Sequence, residues 1–430
     1  MKLGIKWKPR TLDLVLFLLF TSYLIIYIDR VNLSTAAGAI KRDLGLSNTE
    51  LGLAFSAYSY PYAILQLVGG WFADSFGPRL TLGIFGVIFS VATALTSIIG
   101  GLGSLMAVRA LLGFGEAPAL ATATRAFANW CPIARWGFVQ GMAHSFSRLG
   151  NAITPPFIAL LITAISWRGS FLITGVLSLG WVAIWLWYFR DNPADHPGIT
   201  AAELATLRVR TGEQTRSRVP VWRLFRRMLP VIATDFCYAW TLWVYLNWLP
   251  SFFSESYHLN LNSSALFTSG VFIAGIVGDT LGGVISDRVL KRTGSVLKAR
   301  RNVIVGGMLG SLILLIPVLL FTNLTVVTIF LTLAFFSLEL VIGPLWSVPM
   351  DISPRHAGTA SGLMNFGFGI AGILSPIAFG LVIDRTGNWH LPFAFSIGLL
   401  LLGAAMACTM RPEQPFLVEA DTAPPPNQSA

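Results

Sequence analysis

Apolar stretches of about 20 residues, the length of helix that crosses a hydrocarbon core of roughly 30 Å, recur along this chain between short polar or Gly/Pro-bearing breaks. They predict spans near 12–37, 49–72, 80–99, 103–127, 136–164 and 168–190, then near 228–253, 263–289, 300–321, 324–349, 356–383 and 390–410. One long polar interval, 190–227, parts the first six from the second six. The pattern predicts an all-α integral membrane protein with four segments. An N-terminal six-helix bundle occupies 1–190, a cytoplasmic linker 191–227, a C-terminal six-helix bundle 228–410, and a disordered cytoplasmic tail 411–430, which ends in APPPNQSA. The opening MKLGIKWKPR is basic like the start of a signal peptide, but the apolar run after it is too long and is interrupted by Asp29 and Arg30. It reads as a retained first span.

Composition supports lipid as the solvent: 54% of the 430 residues are hydrophobic and 12% charged, against roughly a quarter charged in soluble domains. A net charge of +10 raises the question of nucleic acid, which the placement of the charge answers. Inner loops and tails hold 23 of the 30 Lys and Arg, and only Lys41, Arg42, Arg168 and Arg385 fall outside. That bias puts both termini in the cytoplasm and accounts for the basicity without a nucleic-acid partner. Three basic residues, Arg30, Arg109 and Arg148, remain inside spans. Cys131, Cys237 and Cys408 have no ligand spacing, so neither a disulfide framework nor a metal site is implied.

The halves match at a shift of about 213 to 222 residues: Gly70, Asp74 and Arg79 recur as Gly283, Asp287 and Arg292, and Gly141, Pro155 and Trp167 as Gly362, Pro376 and Trp389. Such a parallel repeat predicts two bundles facing each other, with a substrate site near the bilayer midplane where they rock to alternate access.

The segment GWFADSFGPR, Gly70 to Arg79, has the loop signature of the major facilitator superfamily. Gly70 allows close helix packing, Gly77 a tight turn, and Asp74 a helix cap or an arginine partner at the inner gate. The second-half copy keeps Gly283, Asp287 and Arg292 but has Leu290 in place of the second glycine. Further segments resemble the anion:cation symporters of that superfamily, carriers of sugar acids and organic anions. They are YIDRVNL at 27–33, FSAYSYPYAILQLVGGWFAD at 55–74, RALLGFGEAP at 109–118, TLWVYLNWLP at 241–250, PLWSVPMDISP from 344 and GLMNFGFGIAG up to 372. The resemblance implies the twelve-helix fold of that superfamily and proton coupling at the positions of Asp29 and Glu116. It also implies substrate contacts at Tyr62 and Asn365.

The residues themselves point the same way. An ionised side chain near the bilayer centre costs about 2.5 to 3.5 kcal/mol even on lenient scales, so Asp29, Arg30, Arg109 and Glu116 should meet partners or a wet cavity. Arg109 and Glu116 are two turns apart on one face of span 4. Arg30 suits a substrate carboxylate, because a guanidinium offers forked donors and keeps its charge. Asp29 and Glu116 suit proton exchange, since burial and arginine neighbours pull their protonation in opposite directions. Arg109 suits a lock on either acid. The competing reading is a static ion-pair network that orients helices.

Tyr62 and Gln66, one turn apart, and Asn365 in span 11 offer a hydroxyl and two amides to a polyhydroxylated substrate, and Trp243 and Trp346 could wall the cavity. Arg148 is a third midplane arginine; it either favours a dicarboxylate or larger anion, or pairs with Glu116. His144 reads as a packed neutral histidine or a titrating group. Asp235 and Asp279 are expected near the inner ends, and Glu339 mid-span, without a matching arginine set.

These features predict a secondary carrier of the plasma membrane, the inner membrane in a bacterium. It takes up an organic anion, a sugar acid such as an aldonate, aldarate or hexuronate, in symport with protons. An interior-negative potential opposes an entering anion by about 2.3 kcal/mol per charge per 100 mV, and co-transported protons cancel it. The expected partners are that small anion, protons and the lipid bilayer, with the chain acting as a monomer and no cofactor beyond the coupling ion. The alternatives are a facilitator or exchanger of another solute, or a transport-like sensor or membrane enzyme. The chain lacks the concentrated catalytic set or soluble domain that an enzyme would show.

Overall fold

The computed structural model describes residues 10–131, 136–207, 221–353 and 357–416. Of Gly70 and Asp74 only the helical backbone is described. The first bundle comprises α1 (Thr11–Leu44), α2 (Asn48–Leu95), α3 (Leu102–Glu116), α4 (Ala119–Trp130), α5 (Trp136–Ala164) and α6 (Trp167–Tyr188). A short α7 (Ala201–Thr206) lies in the linker. The second bundle comprises α8 (Val221–Ser251), α9 (Leu261–Thr293), α10 (Val296–Leu320), α11 (Leu324–Glu339), α12 (Ile342–Ile352), α13 (Ala357–Thr386) and α14 (Phe393–Thr409). Among the described residues, nine helical stretches are long and apolar enough to cross a membrane. The thirteen helices outside the linker make twelve candidate crossings when α2, turned at Gly77, counts as two and α3 with α4, and α11 with α12, count as one each.

Local sequence explains the breaks. Ser47 opens α2 through a reciprocal capping box with Glu50, and Gly45 closes α1 in the left-handed region at φ 64°. The predicted loop between spans 2 and 3 shrinks to one residue: helix runs up to Gly77, whose φ of 78° and ψ of 153° turn the chain, and resumes at once. Glycine is required there twice over, since a Cβ would also meet the Asp191 carboxylate at 2.7 to 3.0 Å. In the second half no turn forms at Leu290; α9 continues to Thr293 and turns at Gly294, φ 64°. Span 4, expected to be continuous, is split before Ala119 because Pro118 has no N–H to donate. Helix is already present at Val221, inside the interval expected to be linker.

The bundles meet along two seams, α2 against α13 and α5 against α9. The α2–α13 seam runs antiparallel and close: a Cβ on Gly52 would collide with the Pro376 backbone, and one on Gly380 with that of Asn48. At its outer end the Asp384 carboxylate accepts from Asn48 N at 3.1 Å, Asn48 Nδ2 at 2.8 Å and Thr49 N at 2.6 Å. Deeper in, Ser56 Oγ donates to the Ile373 carbonyl at 2.6 Å. On the α5–α9 seam Ser269 Oγ donates to the Ala152 carbonyl at 2.5 Å. The bundles are thus held together through their outer halves.

Charge-assisted hydrogen bonds of this kind contribute about 1.5–3 kcal/mol. Asp384→Ala is therefore expected to open the outer seam, with a cysteine placed at Ser56, in a background lacking the three native cysteines, reacting about tenfold faster with a membrane-impermeant maleimide. An unchanged labelling rate would show that the seam does not depend on Asp384.

Candidate functional site

Asp29 and Arg30 lie 14 to 15 residues from the outer end of α1, because that helix continues to Leu44, further than its apolar stretch suggested. At 1.5 Å per residue this is roughly 21 Å. Glu116, the last residue of α3, is 14 residues from that helix's outer start. The matching depths let α1 and α3 bring Arg30 and Glu116 together: Arg30 Nη2 stands 2.9 Å and Nε 3.2 Å from Glu116 Oε2. Tyr58 on α2 donates its hydroxyl to the same oxygen at 2.7 Å. All three side chains are buried, while Glu116 Oε1, equally buried, has no partner.

An aromatic cage completes the surroundings of Arg30, whose guanidinium carbon lies 4.7 Å from the Tyr27 ring centroid and 5.0 Å from those of Tyr58 and Tyr62. Cation–π contact and the carboxylate together compensate the desolvated guanidinium. Tyr58 and Tyr62 stack at 5.1 Å, one helical turn apart. Trp243, from the second bundle, stands 6.1 Å from Tyr58, its indole N–H donating to the Phe368 carbonyl at 3.2 Å.

Asp29 faces away from Arg30, toward α6, where Ser178 Oγ donates to its Oδ2 at 2.7 Å; Oδ1 is buried without a partner. Arg109 is not a closed lock on either acid. Its guanidinium carbon lies 5.2 Å from the Tyr58 ring, and among the described residues no ion pair within 4.0 Å joins it to Asp29 or Glu116.

Arg148 requires the largest correction. It does not pair with Glu116 but reaches across the α5–α9 seam, Nη2 lying 2.9 Å from Glu339 Oε2 and Nε 3.5 Å from Asp279 Oδ2. Tyr238 Oη donates to the same Glu339 oxygen at 3.3 Å. The acids of the second half therefore find their arginine in the first. Asp279 meets Arg148 rather than the inner surface, and Asp235, also expected near water, is buried at 1% exposure. One turn before Arg148, His144 packs its ring between Tyr23 at 6.1 Å and Trp346 at 6.0 Å, which sets Trp346 beside the Arg148 group rather than the Arg30 group.

Gln66 and Asn365 make no described contact with either group. The register of the α2–α13 seam relates them: Gly52 meets Pro376, Ser59 meets Gly372 and Ala63 meets Gly369, so the next turn brings half-buried Gln66 opposite half-buried Asn365.

The loop-signature residues lie apart, at the inner ends. Arg79 donates its backbone N–H to Asp191 Oδ1 at 2.8 Å and its side chain to the Leu186 carbonyl, while Trp185 Nε1 donates to the Arg79 carbonyl at 3.1 Å. Burial pushes the Asp191 carboxyl up, and the Arg79 amide and charge oppose it. In the second-half copy Asp287 stands 3.7 Å from Arg300, which also pairs with Asp351 at 2.9 Å, and Arg292 is in the last turn of α9.

The sequence matches the Major Facilitator Superfamily over residues 19–376 and again over 298–428. The chain belongs to that superfamily. It is 46% identical to the "Probable sulfoacetate transporter SauU" of Cupriavidus necator, over 95% of each chain. It is 31% identical to the hexuronate transporter of Bacillus subtilis, over 91% of this chain and 92% of the other. With a D-galactonate transporter of Escherichia coli it shares 30% over 88% and 91%. Among solved structures, a bacterial homolog of the human lysosomal transporter Spinster, inward-facing and unoccupied, superposes with a TM-score of 0.77 at 16% identity, covering 93% of this chain and 97% of the other. A D-xylose–proton symporter does so at 0.73 and 16%, covering 93% and 98%. This chain is accordingly a multi-span membrane transporter among organic-anion carriers, not an enzyme.

Sequence reading missed Tyr58, Tyr27, Ser178 and Tyr238. Tyr58 carried a signal, standing one turn before Tyr62 on the same face; the others are defined only by contacts between helices. Removing one partner of a buried ion pair costs about 3–5 kcal/mol because the other charge is left uncompensated. Arg30→Met should therefore lower the unfolding midpoint in detergent markedly, and Arg30→Met with Glu116→Leu should regain part of the loss. Strict additivity of the two changes would mean that the pair is not coupled.

Proposed function

We propose that this transporter moves an organic anion across the membrane in symport with protons. The observation that carries the reading is the buried Arg30–Glu116–Tyr58 group with its unpartnered carboxylate oxygen. An anion can take the forked donors of Arg30 only when Glu116 gives them up, and Glu116 can stay in that dry site without its cation only as the neutral acid. Proton and anion then bind together, and neither alone satisfies the site. Asp29, held by Ser178 on the far side of α1, is the second proton carrier, and Arg109 over Tyr58 transmits between the two acids. Tyr62, Gln66 and Asn365 orient the hydroxyls of the substrate, with Trp243 as the wall from the second bundle.

Sugar acids, meaning aldonates, aldarates and hexuronates, are the substrate class supported by these amides and hydroxyls and by the relatives named for hexuronate and galactonate. A second reading, a short sulfonated carboxylate, is favoured by Arg148 at the bundle interface and by the relative named for sulfoacetate.

In proteoliposomes an inward proton gradient should drive concentrative uptake. Glu116→Gln should abolish that response while leaving counterflow exchange in place, and intact pH-driven accumulation in this variant would remove Glu116 from the coupling role. Arg30→Lys keeps the charge but loses the fork, so anion affinity measured by thermal shift should fall about tenfold, a difference of about 1.4 kcal/mol. Unchanged affinity would make Arg30 a structural residue.

A further inference from the structure

The Arg148 group repeats the construction of the Arg30 group. Each has a buried arginine 2.9 Å from one oxygen of a buried glutamate, and a tyrosine hydroxyl donating to that same oxygen, Tyr58 at 2.7 Å and Tyr238 at 3.3 Å. Each glutamate ends the outer half of a broken span, Glu116 at the end of α3 and Glu339 at the end of α11. In both, the second carboxylate oxygen is buried and unpartnered, and Arg148 keeps Nη1 buried and unpartnered as well. The difference is one of place: Arg30 pairs within the first bundle, whereas Arg148 pairs across the seam that must part during transport.

We propose that Arg148 and Glu339 form a second site where an anionic group replaces a carboxylate, so that the preferred substrate is a small dianion carried with one proton more than a monoanion. The inference rests on the reading given for Arg30 and Glu116. A proton from the outer aqueous phase adds to a Glu339 oxygen, the Glu339–Arg148 ion pair parts, and the freed N–H donors take a carboxylate or sulfonate oxygen of the substrate. One positive charge and one negative charge enter together, so the net charge of the buried group is unchanged by the exchange.

Glu339 is faced by Arg148 of α5, Tyr238 of α8 and Asp279 of α9. Behind these stand His144 and Tyr27, near Arg148, and Asp235, near Tyr238. Asp279, the more exposed acid, stays 3.5 Å from Arg148 Nε as the longer ion-pair contact, without a hydrogen bond, while Glu339 releases Nη2. Tyr27 packs on Arg30, its ring 4.7 Å from the guanidinium carbon, and in the proposed exchange one small molecule presents an acidic group to each arginine.

The test uses the full chain in proteoliposomes and two matched pairs of probes that differ by one acidic group, gluconate against glucarate and isethionate against sulfoacetate. Arg148→Gln is expected to weaken the dianion of a pair at least tenfold and the monoanion less than twofold. Glu339→Gln is expected to lower the proton-to-dianion ratio, read from the reversal potential, by one. Equal weakening of both members of each pair, or an unchanged ratio in Glu339→Gln, would overturn the proposal and make the contact a latch between bundles. If Arg148→Gln does not fold, Arg148→Lys should show the same selective loss, and a loss without selectivity would overturn the proposal. Proton-coupled uptake of monoanions with no preference for dianions would sink this inference and leave the Arg30–Glu116 reading standing, whereas pH-driven uptake surviving Glu116→Gln would remove the reading beneath it.

Discussion

A charge held in a low-dielectric interior must take its counter-charge with it, and the arrangement of this transporter follows from that requirement. Arg30 cannot sit at the depth it occupies unless α3 ends at a height that delivers Glu116 to it and α2 turns Tyr58 toward the same oxygen. Three helices are thereby fixed in relative height by one carboxylate. The aromatic rings around Arg30 add attraction without adding charge. The other oxygen of Glu116 is left buried without a hydrogen-bond partner.

A carrier also needs an interface that can open, and the α2–α13 seam is built for opening. Its contacts are glycine and alanine against backbone, with side-chain hydroxyls donating to carbonyls. Water can take over each freed carbonyl there, while parting the bundles also separates Phe55 from Trp248 and Tyr58 from Trp243, whose rings stand 5.4 and 6.1 Å apart. The hydrogen bonds at Asp384 hold the outer end of the same seam. On the neighbouring seam the Arg148–Glu339 pair is of another kind, because parting the bundles there exposes two charges that need replacement partners. The two seams therefore differ in chemistry, small residues against backbone on one and a charged pair on the other.

The inner ends are organised by backbone geometry more than by charge. Gly77 turns α2 through a conformation that an ordinary residue resists, and the turn delivers the Arg79 amide to Asp191 and the Arg79 carbonyl to Trp185. The second bundle reaches a comparable end by another route, with α9 uninterrupted to Gly294 and Arg300 gathering Asp287 and Asp351. Both inner ends thus use an arginine and an aspartate, but the residues in contact, Arg79 with Asp191 and Arg300 with Asp287 and Asp351, do not correspond through the repeat, and the turn is not shared.

Span count, orientation and the identity of the buried charges follow from the sequence, because each depends on local quantities: the length of an apolar run, the sign of its flanks and the cost of a charge in lipid. The pairing of those charges does not. Arg30 could be assigned to the site of Glu116 because Arg109, on the same face of span 4 as Glu116, stood at a depth similar to that of Arg30. Arg148 could not be assigned to Glu339, since that contact depends on how two bundles are apposed and no periodicity within one helix encodes it. The same reason hid Ser178 from Asp29 and left Arg109 with two acids to choose from, where the fold laid it over Tyr58 instead. By itself the sequence determined which side chains must find partners inside the membrane. Only the tertiary structure decided which partner each one has, because partner choice is settled by helix height and rotation, and these are set by packing across the whole interface.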